Sequence, residues 1–266
     1  ITIDQDVVCG VTCAAHGAVS ALTVILTTGT ALRGRIHVGR EVVAGGGDGR
    51  PAADSLAVSL NKAGFEMIRL KTGTPPRLLA ESIAWDKTLI QPGEEPPPFF
   101  SMLTRCSTWN IPGPWVPGSD QIPCWLTHTT EQTHTIIRDN LSRSSLYGGS
   151  ITGTGVRYCP SIETKVDRFA DKERHQLYLE PEGRDTNEIY VNGFSTSLPR
   201  SVQDEMFRMI RGLERAEIMR YAYAIEYDYA PPEQVLYSLE TKNVAGLYLA
   251  GQLNGTTGYE EAGALG

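Results

Sequence analysis

The chain has 266 residues, 41% of them apolar and 21% charged, which is ordinary globular usage and enough to bury a core. Its formal net charge of −7 argues against a general nucleic-acid binder. No apolar run approaches the ~18 residues that a membrane helix needs, and no secretory leader is visible, so we expect no membrane partner.

The termini and the cysteine content indicate a fragment from a reducing compartment. The chain opens at Ile1 without an initiator Met and ends at Gly266, where a helix should be starting. We therefore expect an internal piece of a longer protein. Five cysteines, an odd number without framework spacing, favour a reducing compartment, and we expect a cytoplasmic protein.

Basic residues are concentrated in one part of the chain. Residues 31–80 hold eight Lys or Arg against four Asp or Glu, whereas residues 221–266 hold six acids and one Lys. A basic surface of this kind would approach a polyanion such as RNA, or it would simply be a solvated face. The charge pattern alone leaves both interpretations open.

The first half of the chain predicts a strand, a loop and a helix before a more irregular region. A buried strand at residues 22–26 runs into a small-residue turn, and a Gly-rich loop follows at residues 44–55. Leu56, Leu60 and Phe65 recur at helical spacing, and Gly64 ends that helix. From there to residue 123 the sequence is rich in Pro and Gly, which predicts irregular structure with short strands.

The second half alternates predicted strands and helices. A strand is followed by a Thr-capped helix over about residues 130–141, and two strands fall within residues 175–183 and 187–199. A helix of about a dozen residues then ends at Gly212, before a last strand, small-residue turn and helix start. The apolar stripe predicted for that twelve-residue helix consists of Val202, Met206, Phe207 and Ile210.

Strand–turn patterns at both ends, with a strand-bearing region between them, predict an α/β fold. We interpret it as a dinucleotide-binding sheet interrupted by a second domain. The predicted division is residues 1–70 for the first part of an FAD-binding domain, 71–209 for an insertion or substrate domain, and 210–266 for the second part of the FAD-binding domain.

Two small-residue turns resemble those of two-dinucleotide-binding (glutathione reductase-like) flavoproteins, in which a strand ends in Ala-Gly-Asp beside the flavin. Here "AGQLNGTTG" places Gln252 where the acid would be, and "LTTGT" supplies a second turn. Such turns let the backbone approach a cofactor closely. The candidate FAD contacts in the two turns are Thr28, Gly29, Gln252, Asn254, Gly255 and Thr256.

Cys159 precedes a predicted helix. If that helix begins at Pro160, the cysteine is its N-cap, and the helix N-terminus with Arg157 and Lys165 nearby favours the thiolate. The predicted apolar face consists of Ile162, Val166 and Phe169. The residues alone leave two readings open, a buried cap cysteine or a reactive thiol.

Other chemistry-bearing residues carry weaker signals. Cys9, Cys13 and His16 have C-x3-C-x2-H spacing, but no second ligand pair follows, and we expect no metal site. Cys124 is interpreted as a structural strand residue. No partner at triad or metal spacing is identified for His128, His134 or His175.

Several long motifs resemble the glucose-inhibited division protein A family, also called MnmG. They include "RLKTGTPPRL" at 69–78, "RYCPSIE" at 157–163, "RFADKERHQ" at 168–176, "AIEYDY" at 224–229 and "AGQLNGTTGYEEA" at 250–262. Shorter matches are "LEPEG" at 179–183, "NEIY" at 187–190 and "STSLP" at 195–199. The resemblance covers about residues 22–266.

The resemblance implies an FAD enzyme that modifies C5 of the tRNA wobble uridine with an MnmE-type GTPase partner. Methylenetetrahydrofolate would supply a one-carbon unit, NADH would be a second cosubstrate, and a homodimer is expected. The family's FAD contacts correspond to Ser55 and Gln252, and its catalytic cysteine to Cys159. A nicotinamide-contacting segment corresponds to residues 155–169, and from it Gly155, Arg157 and Tyr158 are candidate cofactor contacts.

The chemistry of a uracil gives the cysteine two candidate roles. A thiolate that adds at C6 makes C5 nucleophilic, or the thiol activates the one-carbon carrier. Two other functions remain as alternatives: a folate- and FAD-dependent tRNA uridine-5-methyltransferase, and a non-catalytic tRNA-binding scaffold that has lost its flavin.

Overall fold

The computed structural model describes residues 1–95, 97–98 and 121–265, which form sixteen β-strands and five α-helices. The N-terminal strands are β1 (Thr2–Asp4), β2 (Val7–Cys13) and β3 (Gly17–Ser20), paired antiparallel in that order. The strand β4 (Val24–Leu26) instead pairs in parallel with the last strand of the chain, β16 (Leu247–Leu249). The two ends of the chain therefore share one small sheet.

A five-stranded sheet lies at the centre of the fold. Its strands in spatial order are β11 (Thr154–Gly155), β7 (Ile68–Thr74), β15 (Tyr223–Tyr229), β5 (Arg35–Val38) and β6 (Glu41–Ala44). All neighbours are antiparallel except β11 and β7, which run parallel. That parallel pair fixes the segment before Cys159 against β7.

A six-stranded antiparallel sheet occupies the middle of the sequence. Its spatial order is β14 (Ile218–Arg220), β8 (Arg77–Leu79), β13 (Glu188–Asn192), β12 (Gln176–Pro181), β10 (Cys124–His128) and β9 (Leu89–Gln91). The helices are α1 (Asp54–Lys62), α2 (Glu131–Asp139), α3 (Ile162–Arg168), α4 (Arg200–Arg208) and α5 (Tyr259–Leu265).

Two hydrophobic clusters organise the described residues. One joins the six-stranded sheet to α2, α3 and α4 and includes Leu179, Phe194 and Phe207. The other joins α1 to β4 and β16 and includes Leu60 and Leu249. At ~25 cal/mol per Å² of buried apolar surface, clusters of this size are the main favourable contribution to folding.

Several local predictions are confirmed. Thr130 caps α2, and its Oγ1 accepts the N–H of Thr133 at 3.2 Å. Gly64, at φ +82, follows the end of α1. The stripe on α4 is buried as predicted, although that helix has nine residues, ending at Arg208, and is shorter than the predicted dozen.

The strand predicted at residues 22–26 is wrong in extent and burial. β4 begins at Val24, Leu22 is 94% exposed and Ile25 is 62% exposed, whereas Leu26 is buried. Successive side chains of a strand point to opposite faces, so Val24 and Leu26 pack in the cluster with Leu249, whereas Ile25 faces solvent. The predicted irregular region is described as far as residue 95 and at 97–98. Its remainder, residues 99–120, lies outside the described residues.

In the described part of the chain, no helix combines the length and the apolar character that crossing a bilayer requires.

Candidate active site

The two small-residue turns predicted to hold a cofactor lie side by side. β4 and β16 are parallel, so both turns leave the same edge of the sheet, and the N–H of Ala250 donates to the carbonyl of Leu26 at 3.1 Å. Gly29 has φ +56, and a Cβ there would lie 3.8 Å from Oε1 of Gln252. The left-handed φ values of Gly251 (+74) and Gly255 (+80) shape the second turn.

Two buried polar atoms near these turns lack partners. Oγ1 of Thr28 and Oδ1 of Asn254 are enclosed and have no hydrogen-bond partner among the described residues. A buried polar atom left unpaired costs about 1–3 kcal/mol, so such atoms are usually satisfied by water or by a ligand. Unpaired oxygens beside glycine turns fit the polyhydroxylated chain and phosphates of a dinucleotide.

An open cleft of about 1040 Å³ runs from Gln252 to Cys159. One wall is the Gly-rich loop, whose Asp48 N–H donates to the hydroxyl of Tyr223 at 3.1 Å. The floor consists of residues from β7 and β15, including Thr72 and Ile225. A volume above ~1000 Å³ is at the upper end of the range for small-molecule and cofactor sites.

Cys159 lies at the far end of the cleft, in front of α3. The predicted helix start at Pro160 is wrong, because α3 begins at Ile162 and its N-cap is Ser161, whose Oγ accepts the N–H of Thr164 at 3.3 Å. A serine hydroxyl is the stronger acceptor, so it takes the cap position and leaves Cys159 outside the helix, half-buried and facing the cleft.

The predicted apolar face of α3 is correct at two of its three positions. Ile162 and Val166 are buried, whereas Phe169 is 52% exposed, because the helix ends at Arg168 and the chain turns away. The short helix is therefore anchored by its first turns, next to the cysteine.

A buried lysine and a buried carboxylate lie close to Cys159. Lys71 is 3% exposed, and burial lowers the pKa of its ammonium although the charges of Glu163 and Cys159 act to raise it. Glu163 is fully buried, and its Oε1 accepts from Ser197 N (3.0 Å) and from Ser144 Oγ (3.1 Å). A charge held in a low-dielectric site interacts more strongly with neighbouring charges than it would in water.

Tyrosine side chains line the cleft beside Cys159. Burial, with the neighbouring Tyr259, raises the pKa of Tyr190 to about 12, and the Arg77 guanidinium lies over its ring at 4.7 Å. The hydroxyl of Tyr158 donates to Oε1 of Glu261 at 3.2 Å. That bond joins the residue before Cys159 to α5, near the C-terminal end of the chain.

A carboxylate holds the loop that leads to Cys159. Oε1 of Glu226 accepts the N–H groups of Thr152 (2.9 Å) and Gly153 (2.6 Å), and its Oε2 lies 3.1 Å from Nε2 of His37. Burial alone would raise the pKa of Glu226. The two N–H donors and the charges of Arg69 and His37 outweigh it, so the pKa lies below its ordinary value.

Comparison with known proteins identifies the family. The model of the family described as glucose inhibited division protein A matches residues 1–266. The chain belongs to this family. It is 51% identical over 263 residues to the tRNA uridine 5-carboxymethylaminomethyl modification enzyme MnmG of Lactococcus lactis subsp. cremoris (strain SK11), and 52% identical over 266 residues to the MnmG of Streptococcus sanguinis (strain SK36).

Solved structures of Aquifex aeolicus GidA are similar to this chain. The form I crystal structure superposes with a TM-score of 0.88 at 48% identity, covering 100% of this chain and 44% of that one. The form II structure gives 0.85 at 46% identity. The match supports a mixed α/β fold. The chain spans 41% of the length of the two MnmG relatives, so it corresponds to a fragment of proteins of that size.

Three of the predicted site residues line the cleft of this GidA-family chain directly: Tyr158, Cys159 and Gln252. The other turn residues lie beside it without lining it: Thr28, Gly29, Asn254, Gly255 and Thr256. Ser55 is exposed at the first turn of α1 and Arg157 is exposed, so neither lines the cleft. Gly155 pairs with Lys71 in the central sheet.

The basic stretch at residues 31–80 is not a free basic surface. Arg33 and Arg69 both pair with Asp228, at 2.9 and 3.0 Å. Arg35 pairs with Asp54 at 3.0 Å, and Arg77 with Glu182 at 2.7 Å. Four of the eight cations are thus held in ion pairs, and Lys71 is buried.

The remaining candidates lie away from the cleft. Cys9 and Cys13 are exposed on β2, and within the described ranges no group of His, Cys, Asp and Glu has a metal-binding arrangement. The rings of His134 and His175 lie 5.2 Å apart beside α2. Sequence reasoning missed Lys71, Tyr190 and Glu226 as site residues, although all three lie in quoted family motifs.

Proposed function

We propose that the protein containing this chain is an FAD-dependent enzyme that installs a carboxymethylaminomethyl or aminomethyl group at C5 of the tRNA wobble uridine. The observation that carries the proposal is that Cys159 and Gln252, far apart in sequence, line one cleft. The names of the MnmG relatives support the same activity. The division into residues 1–70, 71–209 and 210–266 is part of this proposal. Two separate hydrophobic clusters support more than one packing unit, although Ile210 and Leu213 pack in the cluster of the six-stranded sheet.

The flavin would lie along the two glycine turns. Gln252 would face it, and Thr28 and Asn254 have unpaired oxygens for its polar groups. A bound flavin supplies hydride transfer. Tyr158 and the segment at residues 155–159 would hold the nicotinamide of NADH at the other end of the cleft, next to the thiol.

Cys159 would act on the uracil ring. Its thiolate adds to C6, the electron pair moves to the C4 oxygen, and C5 becomes the nucleophile that takes up a one-carbon unit derived from methylenetetrahydrofolate. Loss of the C5 proton then expels the thiolate from C6, and an amine such as glycine or ammonium displaces tetrahydrofolate from the new methylene carbon. In the alternative role, the thiol activates the one-carbon carrier. Lys71 would stabilise the thiolate in either case, and Glu226 would hold the segment that carries it.

Partners follow from the same assignment. The substrate is tRNA, an MnmE-type GTPase acts with the enzyme, and the active form is a homodimer. These partners rest on family resemblance.

A serine variant of the cysteine tests the proposal. In the full-length protein, Cys159→Ser should keep the flavin's visible absorbance but lose wobble-uridine modification, measured by mass spectrometry of tRNA nucleosides after mixing with the GTPase. Cys124→Ser is the matched control, because that thiol is also half-buried but lies on β10, away from the cleft.

Each alternative gives a different outcome of this experiment. Normal modification by Cys159→Ser would remove the cysteine from the mechanism. Accumulation of 5-methyluridine in the T-loop would indicate the methyltransferase. A colourless wild-type protein with salt-dependent tRNA binding would indicate the non-catalytic scaffold.

A further inference from the structure

A second, smaller cavity of about 490 Å³ also borders Cys159. Its size falls within the ~300–1000 Å³ of small-molecule sites. Five residues line both this pocket and the large cleft: Gly73, Tyr158, Cys159, Tyr190 and Tyr259. The sulfur therefore borders two spaces, and we call the smaller one the cysteine pocket.

A buried hydroxyl lines the cysteine pocket without a partner. Ser195 is 7% exposed, and its Oγ has no hydrogen-bond partner among the described residues. Its carbonyl accepts the N–H of Ile162 at 2.7 Å, which ties it to the start of α3, just after Cys159. Opposite it is Gly73, where a Cβ would collide with Oγ of Ser195. The hydroxyl of Ser195 is therefore packed against the backbone of Gly73 in the wall of the cysteine pocket, and no group of the described residues satisfies it.

The charged groups of the cysteine pocket are already paired within the protein. Oε1 of Glu180 accepts from Nδ2 of Asn192 at 2.8 Å, and Glu182 pairs with Arg77 at 2.7 Å. Nζ of Lys165 donates to the carbonyl of Gly193 at 2.9 Å. Two carboxylates against one ammonium disfavour a phosphate or a folate carboxylate.

The rest of the cysteine pocket suits a neutral planar ring. Its walls carry the rings of Tyr158, Tyr190 and Tyr259 with three prolines, and flat apolar surfaces of this kind accept a base by stacking. A pyrimidine ring has carbonyl oxygens that a hydroxyl such as that of Ser195 can donate to.

We propose that the cysteine pocket receives the uracil ring of the wobble nucleotide, with Ser195 donating a hydrogen bond to a ring carbonyl and Cys159 at the ring edge. The assignment rests on the proposed function and names the substrate contact of that site. The anticodon loop is single-stranded, so turning one base out of the stack costs little. The flavin and the base would then occupy two adjoining cavities that share Cys159.

Protection of the thiol tests this assignment without requiring turnover. Full-length protein is treated with iodoacetamide in the presence of an anticodon stem-loop RNA carrying uridine or cytidine at the wobble position, and alkylation of Cys159 is followed by peptide mass spectrometry. We expect the uridine RNA to protect the wild type. In Ser195→Ala we expect the RNA concentration for half-protection to rise about ten-fold, which is the loss of affinity expected when one hydrogen bond is removed.

Two further variants separate binding from folding. Ser195→Ala should be as stable as the wild type, because it removes an unpaired buried hydroxyl, and it should keep its flavin absorbance. Ser201→Ala, at an exposed serine on α4, is the control and should protect like the wild type. Ser195→Val fills the pocket and should abolish protection by either RNA.

The outcomes distinguish this proposal from the proposed function. Equal half-protection concentrations in the wild type, Ser195→Ala and Ser195→Val would overturn the cysteine pocket as the base site, even if the wild type modifies tRNA. A wild type that fails to modify wobble uridine in the presence of its GTPase would overturn the proposed function instead.

Discussion

The carboxylate of Glu226 is expected to hold the loop that carries the catalytic cysteine. It accepts the N–H groups of Thr152 and Gly153, at 2.9 and 2.6 Å, only a few residues before Cys159. Replacing Glu226 with alanine leaves these two donors without an acceptor and removes the charge that faces His37 and Arg69. Arg69 keeps its second partner, Asp228, at 3.0 Å.

The size of the effect follows from the burial of the carboxylate, which is 5% exposed. A hydrogen bond to a charged group contributes about 1.5–3 kcal/mol, and removing one member of a buried charged network costs about 3–5 kcal/mol. We expect about 3–5 kcal/mol for Glu226→Ala and about 1–2 kcal/mol for Glu226→Gln, whose amide oxygen still accepts an N–H. For a cooperatively unfolding unit of about this chain's length, the alanine variant should melt about 6–20 °C lower.

The pH dependence has a defined sign. The pKa of Glu226 is lowered in the folded state, so its contribution to stability is present above its unfolded pKa and is lost as pH falls through the folded value. Burial lowers the pKa of His37 below its ordinary 6.5, despite Glu226, so that stability is also lost as pH falls below 6.5. Below the ordinary carboxyl pKa of 4.5, acidification should therefore destabilise the wild type more steeply than Glu226→Ala, because only the wild type loses the contribution of Glu226.

Thermal and urea unfolding of the full-length protein measures the loss of stability and its pH dependence. The control is Glu205→Ala, at an exposed position. Alkylation of Cys159 reports on the loop, and we expect its rate to change in Glu226→Ala and not in the control. Stability of Glu226→Ala within about 0.5 kcal/mol of the wild type, the range of a neutral surface change, would refute the reasoning.

Two further variants probe the flavin turn and the thiol. Gly29→Val should lower the flavin absorbance per protein, because valine strains the φ of +56 and fills the space before the turn, whereas Gly17→Val, at φ +67 with open space around it, should not. Equal flavin content in both would contradict the turn assignment. Lys71→Met should slow iodoacetamide alkylation of Cys159 several-fold at neutral pH, and the exposed Lys87→Met should not. Unchanged rates in both variants would show that Lys71 has no influence on the thiol.

Features with a local cause were predictable from the sequence. Thr130 caps α2 through its own hydroxyl, and Gly64 follows α1 because its φ of +82 favours glycine. The two glycine turns were each predicted as cofactor turns from their own residues, and the parallel pairing of β4 with β16 brings them together. These signals lie within a few residues of the structure they determine.

Features that depend on distant pairing were not predictable. The hairpin of β5 and β6 was missed because β6 is exposed at every position and shows no alternation of buried and exposed residues. The start of α3 depended on which of two residues, Cys159 or Ser161, caps the helix. Lys71 and Ser195 gave no local sign of function, because their roles arise from burial against α3 and the central sheet.

Because Cys159 borders two cavities, we expect variants in the two cavities to affect different measurements. Changes at Gly29 act on the large cleft and should alter flavin content without altering protection of Cys159 by RNA. Changes at Ser195 act on the cysteine pocket and should do the reverse. Lys71 and Glu226 line neither space, and we expect them to act on the thiol through the charge near it and through the loop that carries it. A variant of Ser195 that lost flavin and RNA protection together would therefore argue for one continuous site in place of two.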